Sequence, residues 1–292
     1  MTNSLETIIT NETEVKRMTT KWKKVVVYTD RHSSIADMPS DNIIKKYMSN
    51  NKKSITHIVD LGDGVDNPFM SDYAVDPSFV LSSQEEFDLY ARHINEMSKI
   101  VPEAKKIIVP GNHDKSRMDK AKRMNRGIAS MRSMQYESIL KESILNDGGS
   151  LNNVKIAGQN YQLKLTRDHK VCFTHGDPRL DPNMKSGMTG ARRTAMEYPF
   201  EGDLIWGHGH EYKQFPRKYK GHFAVQLDMM ASIEEMESHY VGWHPYSNGF
   251  GVIHYNTKEN TRFFQHIPII EGKAVIDGKL YNGNNKQEVS IK

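Results

Sequence analysis

Five short apolar runs, each leading into a turn rich in aspartate, histidine, asparagine and glycine, set the tightest limit on what this chain can fold into. The runs are Lys24–Tyr28, Ile55–Asp60, Lys106–Val109, Val171–Thr174 and Leu204–Trp206. Behind them stand Asp30-Arg31-His32, Gly62-Asp63-Gly64-Val65-Asp66, Gly111-Asn112-His113-Asp114, His175-Gly176 and Gly207-His208-Gly209-His210. Continuous β-branched or aromatic stretches of this length predict strands covered on both faces. Helical patterns lie between them. One carries Ile43, Ile44, Tyr47 and Met48, with Ser40 placed to cap it. A second carries Phe87, Tyr90, Ala91, Ile94 and Met97 behind a Ser83/Glu86 capping box, and a third runs from about Lys120 to Leu145 and stops at Gly148–Gly149. Such alternation predicts an α/β sheet with helices outside. After His210 the pattern becomes a meander: Val252–Tyr255, Thr261–Gln265, and Lys273–Tyr281 broken by an Asp277–Gly278 hairpin turn. Residues 1–22 and 284–292 read as polar tails, leaving 23–283 as one domain with a basic helical insertion at about 115–149.

Composition excludes several classes. The 292 residues, 37% hydrophobic, suffice for a continuous core. A mean hydropathy of -0.67, with no apolar run near the ~18–20 residues that span a bilayer, excludes a polytopic membrane protein. The first 20 residues hold no apolar core of a secretory signal. The single cysteine, Cys172, cannot form an internal disulfide, so a reducing, cytoplasmic setting is expected.

The chemistry sits behind the strands, because their carboxyl ends converge on one crevice in open α/β sheets. Seven residues there are candidate metal ligands: Asp30, His32, Asp63, Asn112, His175, His208 and His210. Oxygen and imidazole nitrogen without thiolate suit Mn²⁺ foremost, with Fe or Zn²⁺ as alternatives. Seven exceed the needs of one tetrahedral ion. With one bridging carboxylate they would fill the shells of two divalent ions about 3.5–4 Å apart, a clamp for a nucleophilic hydroxide and a phosphoryl oxygen. Asp-x-His alone means little, and any one of these histidines alone would read as a hydrogen-bonded loop residue. The five motifs in order carry the argument.

Together they resemble the calcineurin-like metallophosphoesterase superfamily over about Lys24 to His266. The resemblance implies a two-sheet sandwich flanked by helices (αββα) with a dinuclear centre at the sheet edge. It implies that Asp30, His32, Asp63 and His210 hold one ion, and that Asp63, as the bridge, with Asn112, His175 and His208 holds the other. It further implies that His113 contacts the phosphate and acts as general acid, with Asp114 orienting it through the other ring nitrogen. Arg31 occupies the middle of the first motif, where the family usually has a small or apolar residue; substrate contact and a structural ion pair are both open. Asp66 stands where purple acid phosphatases carry a tyrosine ligand, and reads as a loop-fixing residue.

Charge bears on the substrate. Between Lys115 and Arg132 lie Lys115, Arg117, Lys120, Lys122, Arg123, Arg126 and Arg132 against one acid, Asp119, a local excess larger than the +4 of the whole chain. Arg192 and Arg193 add to it between the last two motifs. Cations at a crevice mouth suit a polyphosphate or nucleic-acid backbone; a solvated helix face is the plainer alternative. The candidate substrate-binding residues are therefore Arg31, Lys115, Arg117, Arg192 and Arg193. The aromatics of 239–246 (Tyr240, Trp243 and Tyr246, with His239 and His244) are expected to pack the second sheet rather than stack on a base, and Met118, Met124, Met131 and Met134 to pack the insertion. The expected activity is a phosphodiesterase or nuclease acting on nucleotide or nucleic acid. A phosphomonoesterase, protein phosphatases included, is the alternative, and a non-catalytic protein-binding scaffold a more distant one. No membrane partner is expected, and the sequence names no protein partner.

Overall fold

The computed structural model describes residues 22–71, 81–124, 127, 130–185, 189–239 and 245–284. Its strands, in chain order, are β1 (Lys23–Tyr28), β2 (Ile55–Asp60), β3 (Lys105–Ile108), β4 (Val154–Ile156), β5 (Asn160–Lys164), β6 (Lys170–Thr174), β7 (Asp203–Trp206), β8 (Lys213–Pro216), β9 (Phe223–Gln226), β10 (Asn248–Asn256), β11 (Thr261–Ile269), β12 (Lys273–Ile276) and β13 (Lys279–Asn282). The described helices are α1 (Met38–Asn51), α2 (Ser83–Ile100), α3 (Arg117–Met124), α4 (Tyr136–Asn146), α5 (Gly190–Glu197) and α6 (Ile233–His239).

Two sheets carry the molecule. One has the order β11-β10-β1-β2-β3-β4, the other β5-β6-β7-β9-β8, and β12-β13 form a separate hairpin. The pairs β1–β2, β2–β3, β3–β4, β6–β7 and β7–β9 are parallel, so their carboxyl ends lie together within each sheet. Side-chain alternation sorts the residues into layers. Val25 and Val27 pack with Val59, Ile107, Phe173, Ile205 and Val225 in a core shared by the two sheets. Val26 and Tyr28 face the other way, onto Ile43, Ile44, Tyr47 and Met48 of α1 and Met97 of α2. On β7, Leu204 and Trp206 turn outward onto Ala191 and Ala195 of α5. The result is helix, sheet, sheet, helix in layers, a mixed α/β sandwich. Cys172 is buried in the outer layer, where burial pushes its thiol up to about 12.

Several expectations shift. The α1 cap is Asp37, whose carboxylate accepts from the Ser40 N–H; Ser40 is inside the helix. The capping box of α2 pairs Ser82 with Glu85, one residue earlier than expected, and Glu86 is buried, accepting from the Asn67 N–H. The basic insertion is not one helix. A π-helical turn over Asn112–Ser116 runs into α3, and a 3-10 turn at Arg132–Met134 precedes α4. Only Met118 of its methionines is buried; Met124 and Met131 are 81% and 52% exposed. The hairpin at Asp277–Gly278 forms, both residues with positive φ as a two-residue turn demands. Most of the two tails, Arg126, and Tyr240, Trp243 and His244 of the aromatic segment lie outside the described residues.

Candidate metal centre

The loops behind β1, β2, β3, β6 and β7 are laced together by their own backbones. Asp30 and His32 donate their N–H groups to the Gly62 and Asp63 carbonyls at 2.9 and 2.8 Å, and Gly207 donates to the His175 carbonyl at 2.8 Å. Between the sheets, His175 Nδ1–H donates to the Leu61 carbonyl at 2.8 Å, which leaves Nε2 pointing into the crevice. Close approach needs glycine here. A Cβ at Gly111 would lie 2.1 Å from Asp63 Oδ1, and one at Gly207 2.0 Å from Thr29 Oγ1. Asp30, His32, Asp63, His208 and His210 all adopt left-handed φ, between 44° and 66°. Such values are uncommon outside glycine and cost free energy, so they persist where a site dictates the backbone. Asn112 opens the π-helical turn, itself a rare element concentrated at functional sites.

All seven candidate ligands meet in this crevice. Three groups bring their ligand atoms within 4.8 Å of one another: Asp30, His32 and His210; Asp63, His175 and His208; and His32, Asp66 and His113, of which the first two are triads of candidate ligands. In the first, Asp30 Oδ2 is satisfied by Thr29 Oγ1 (2.6 Å) and the His208 N–H (2.8 Å), while Oδ1 faces His210 Nε2 at 3.2 Å and has no well-aligned hydrogen-bond partner among the described residues. His32 donates Nδ1–H to Asp66 Oδ1 at 2.9 Å, and its buried Nε2 also has no partner among the described residues. Buried polar atoms are rarely left so, because each forfeits its hydration. A cation between them satisfies both. In the second triad Asp63 Oδ2 lies 3.2 Å from His175 Nε2, and Oδ1 accepts the His113 N–H at 2.8 Å. The Asn112 amide oxygen stands 2.9 Å from His175 Nε2. Turned over, the amide would donate to His175 Nε2 and His208 Nδ1 at 2.9 Å each and to Asp177 Oδ2 at 3.1 Å. In that orientation the amide oxygen accepts from Arg179 at 3.2 Å, so the amide reaches the second triad whichever way it is turned. The donor set fits a divalent ion of the Mn²⁺, Fe or Zn²⁺ kind.

The electrostatics follow from packing carboxylates against imidazoles out of water. Burial works against the charge on Asp30, but His210 and His175 override it and hold its carboxyl far below the usual range. Asp63 is held down in the same way, chiefly by His175. In return, and again against burial, His32 is pushed up to about 9 by Asp66, Asp63 and Asp30, and His175 to about 10 by Asp63. Without a cation, protons take its place. His208 goes the other way, down to about 4, through burial and the positive His175.

Two assignments require correction. Asp114 does not touch the ring of His113: its carboxylate accepts the backbone N–H groups of Asp63, Val65 and Gly111 at 2.8, 3.1 and 2.8 Å. Burial and the Asp63 charge push it up to about 7. Asp114 thus shapes the loops, since a side chain one residue beyond His113 in a helical turn points elsewhere. Asp66 orients His113 instead: Oδ1 accepts Nδ1–H at 2.8 Å, and it accepts from His32 as well. Arg31 is not at the substrate. It is 7% exposed and its guanidinium is bonded to Asp41, 2.7 Å at closest, and to Ser33 Oγ.

Beyond the triads opens a cleft of about 640 Å³ whose lining includes Asn112, His113 and His208 together with Lys115, Arg117, Lys120, Arg123 and Arg179. Among the described residues Asp119 is the one acid on its wall, 3.6 Å from Lys115 Nζ. Arg117 bonds the Asp66 and Asn67 carbonyls and donates to His113 Nε2 at 3.2 Å. Arg192 and Arg193 are exposed on α5, the latter 3.4 Å from Glu197, and neither lines the cleft. Two residues escaped sequence reasoning. Asp177 is 1% exposed, grips Arg179 through both carboxylate oxygens and lies 3.9 Å from His208 Nε2. Its place two residues past His175 was the available signal. Tyr246, expected in the second sheet's packing, lies with its ring 5.4 Å from that of His210.

No described helix is long and apolar enough to cross a membrane. No family model and no curated protein sequence matches the chain. Among solved structures it is similar to the hypothetical protein PH1004 from Pyrococcus horikoshii OT3, at TM-score 0.44 and 12% identity over 83% of this chain and 87% of that one. It is also similar to GAP50, the anchor in the inner membrane complex of Plasmodium, at TM-score 0.42 and 11% identity over 89% and 88%.

Proposed function

We propose that this protein is a metallophosphoesterase of the calcineurin-like kind, a phosphodiesterase or nuclease that binds two divalent ions, Mn²⁺ foremost. The observation that carries the reading is the pair of Asp/His triads, the second of which opens through His208 into a cleft lined by cations. Asp30, His32 and His210 would hold one ion; Asp63, Asn112, His175 and His208 the other. When bound, the ions supply Lewis acidity, acidifying a water and neutralising phosphoryl charge. The protein's own groups do the rest. His113, its Nδ1–H fixed by Asp66, lines the cleft; when doubly protonated it would give up the Arg117 contact at Nε2 and pass that nitrogen's proton to the leaving oxygen. Arg117 holds the Asp66–Asn67 backbone and keeps His113 in place. Lys115, Lys120 and Arg123 draw an anionic chain toward the crevice.

The test is hydrolysis of bis-p-nitrophenyl phosphate, p-nitrophenyl phosphate and an oligodeoxynucleotide by the Mn²⁺-loaded protein. Turnover of the diester and the oligonucleotide is expected. Turnover of the monoester alone would reassign the protein as a phosphomonoesterase, and no turnover of any of them would overturn the enzyme reading.

A further inference from the structure

His208 stands between two clefts. On one side is the basic cleft already described; on the other is a second, of about 270 Å³, that His208 lines together with Trp206, Gln226, Ala191, Lys185 and Lys213. The two differ in character. The first is a row of cations suited to successive phosphates. The second has an apolar and amide interior: Ala191 of α5, and Trp206, whose Nε1–H donates to Gln226 Oε1 at 3.2 Å. Lys185 and Lys213 also line it, and Lys213 is paired with Glu211. A ring can enter such a space while a phosphate stays at its edge.

A phosphate held at the crevice would therefore have room for substrate on both sides. A phosphomonoester needs only one. Resting on the phosphoesterase reading above, we propose that the substrate is a nucleic-acid strand cut internally. Its backbone lies along Lys115, Lys120 and Arg123, and the nucleoside across the scissile phosphate enters the second cleft beside Trp206. The second cleft is then a specificity subsite that selects diesters flanked by a nucleoside.

Binding and cleavage separate this inference from the reading beneath it. A fluorescently labelled single-stranded oligodeoxynucleotide is titrated by anisotropy onto the full chain in EDTA, and its cleavage is followed with Mn²⁺. Lys213→Trp, which fills the second cleft, and the double variant Lys185→Ala/Lys213→Ala are both expected to weaken binding at least about tenfold. The Lys120→Ala/Arg123→Ala variant should weaken it too and flatten its salt dependence. Lys141→Ala, a charge removed from an exposed face of α4 outside both clefts, should stay within about twofold. Unchanged affinity in both second-cleft variants would overturn the subsite even if the wild-type protein cuts the strand. Weakened binding without any cleavage would instead support the subsite and sink the phosphoesterase reading.

Discussion

The two triads use the same chemistry in different settings. Asp30 and His32 are fully buried, His210 nearly so, and the partnerless atoms Asp30 Oδ1 and His32 Nε2 belong to this enclosed set. In the other, Asp63 and His175 are equally buried, but the His208 side chain is 36% exposed and lines both clefts. The enclosed triad gains most from a cation, because water cannot satisfy its atoms. On the proposed reading the open one would exchange its ion and admit substrate, dividing retention and access between neighbouring positions.

The sharpest way to break this contrast is to compare one ligand from each side. Asp30→Asn should abolish tight binding at the enclosed position, while His208→Ala should leave one tightly held ion per chain. Elemental analysis after gel filtration reads both, and equal loss in the two variants would erase the distinction. The next effect is catalytic. His113→Ala should slow diester hydrolysis by roughly 10²–10⁴-fold with metal content intact. Asp66→Asn, which loosens both His113 and His32, should cost roughly 10–100-fold and lower metal affinity as well. A normal rate in His113→Ala would remove it from the reaction.

The smallest effect concerns protons. His32 at about 9 and His175 at about 10 carry protons at pH 7 in the metal-free protein, each held by a facing carboxylate. Ligation needs neutral imidazoles, so metal uptake at pH 7 should release protons and tighten as pH rises toward 9. Calorimetry in buffers of different ionisation enthalpy measures the release, and a heat independent of buffer would contradict it.

Legibility in the sequence tracked burial. The runs at β1, β2, β3, β6 and β7 were readable because strands covered on both faces are continuously apolar. β4, β5 and β8 were not: they are three to five residues long and only partly buried, without such a run. β9 is mostly buried but only four residues long. That these residues would meet in one crevice was visible because Asp, His and Asn recur beside glycine behind successive strands. Which carboxylate meets His113 was not, because spacing does not fix direction. Asp114, adjacent in the chain, turns to backbone amides, whereas Asp66 arrives from a different loop. Arg31 misled for the same reason: its motif neighbours face the crevice, but Asp41 of α1 draws it into the fold. The basic stretch read as one helix since its residues favour helix, yet among the described residues it is split into a π-helical turn, α3, a 3-10 turn and α4.

The division of labour between the triads stands on there being ions to divide. Isothermal titration of the metal-stripped full-length protein with Mn²⁺ should show two binding events per chain, one tighter than the other. A flat titration, repeated with Zn²⁺ and Fe²⁺ to the same result, would contradict it.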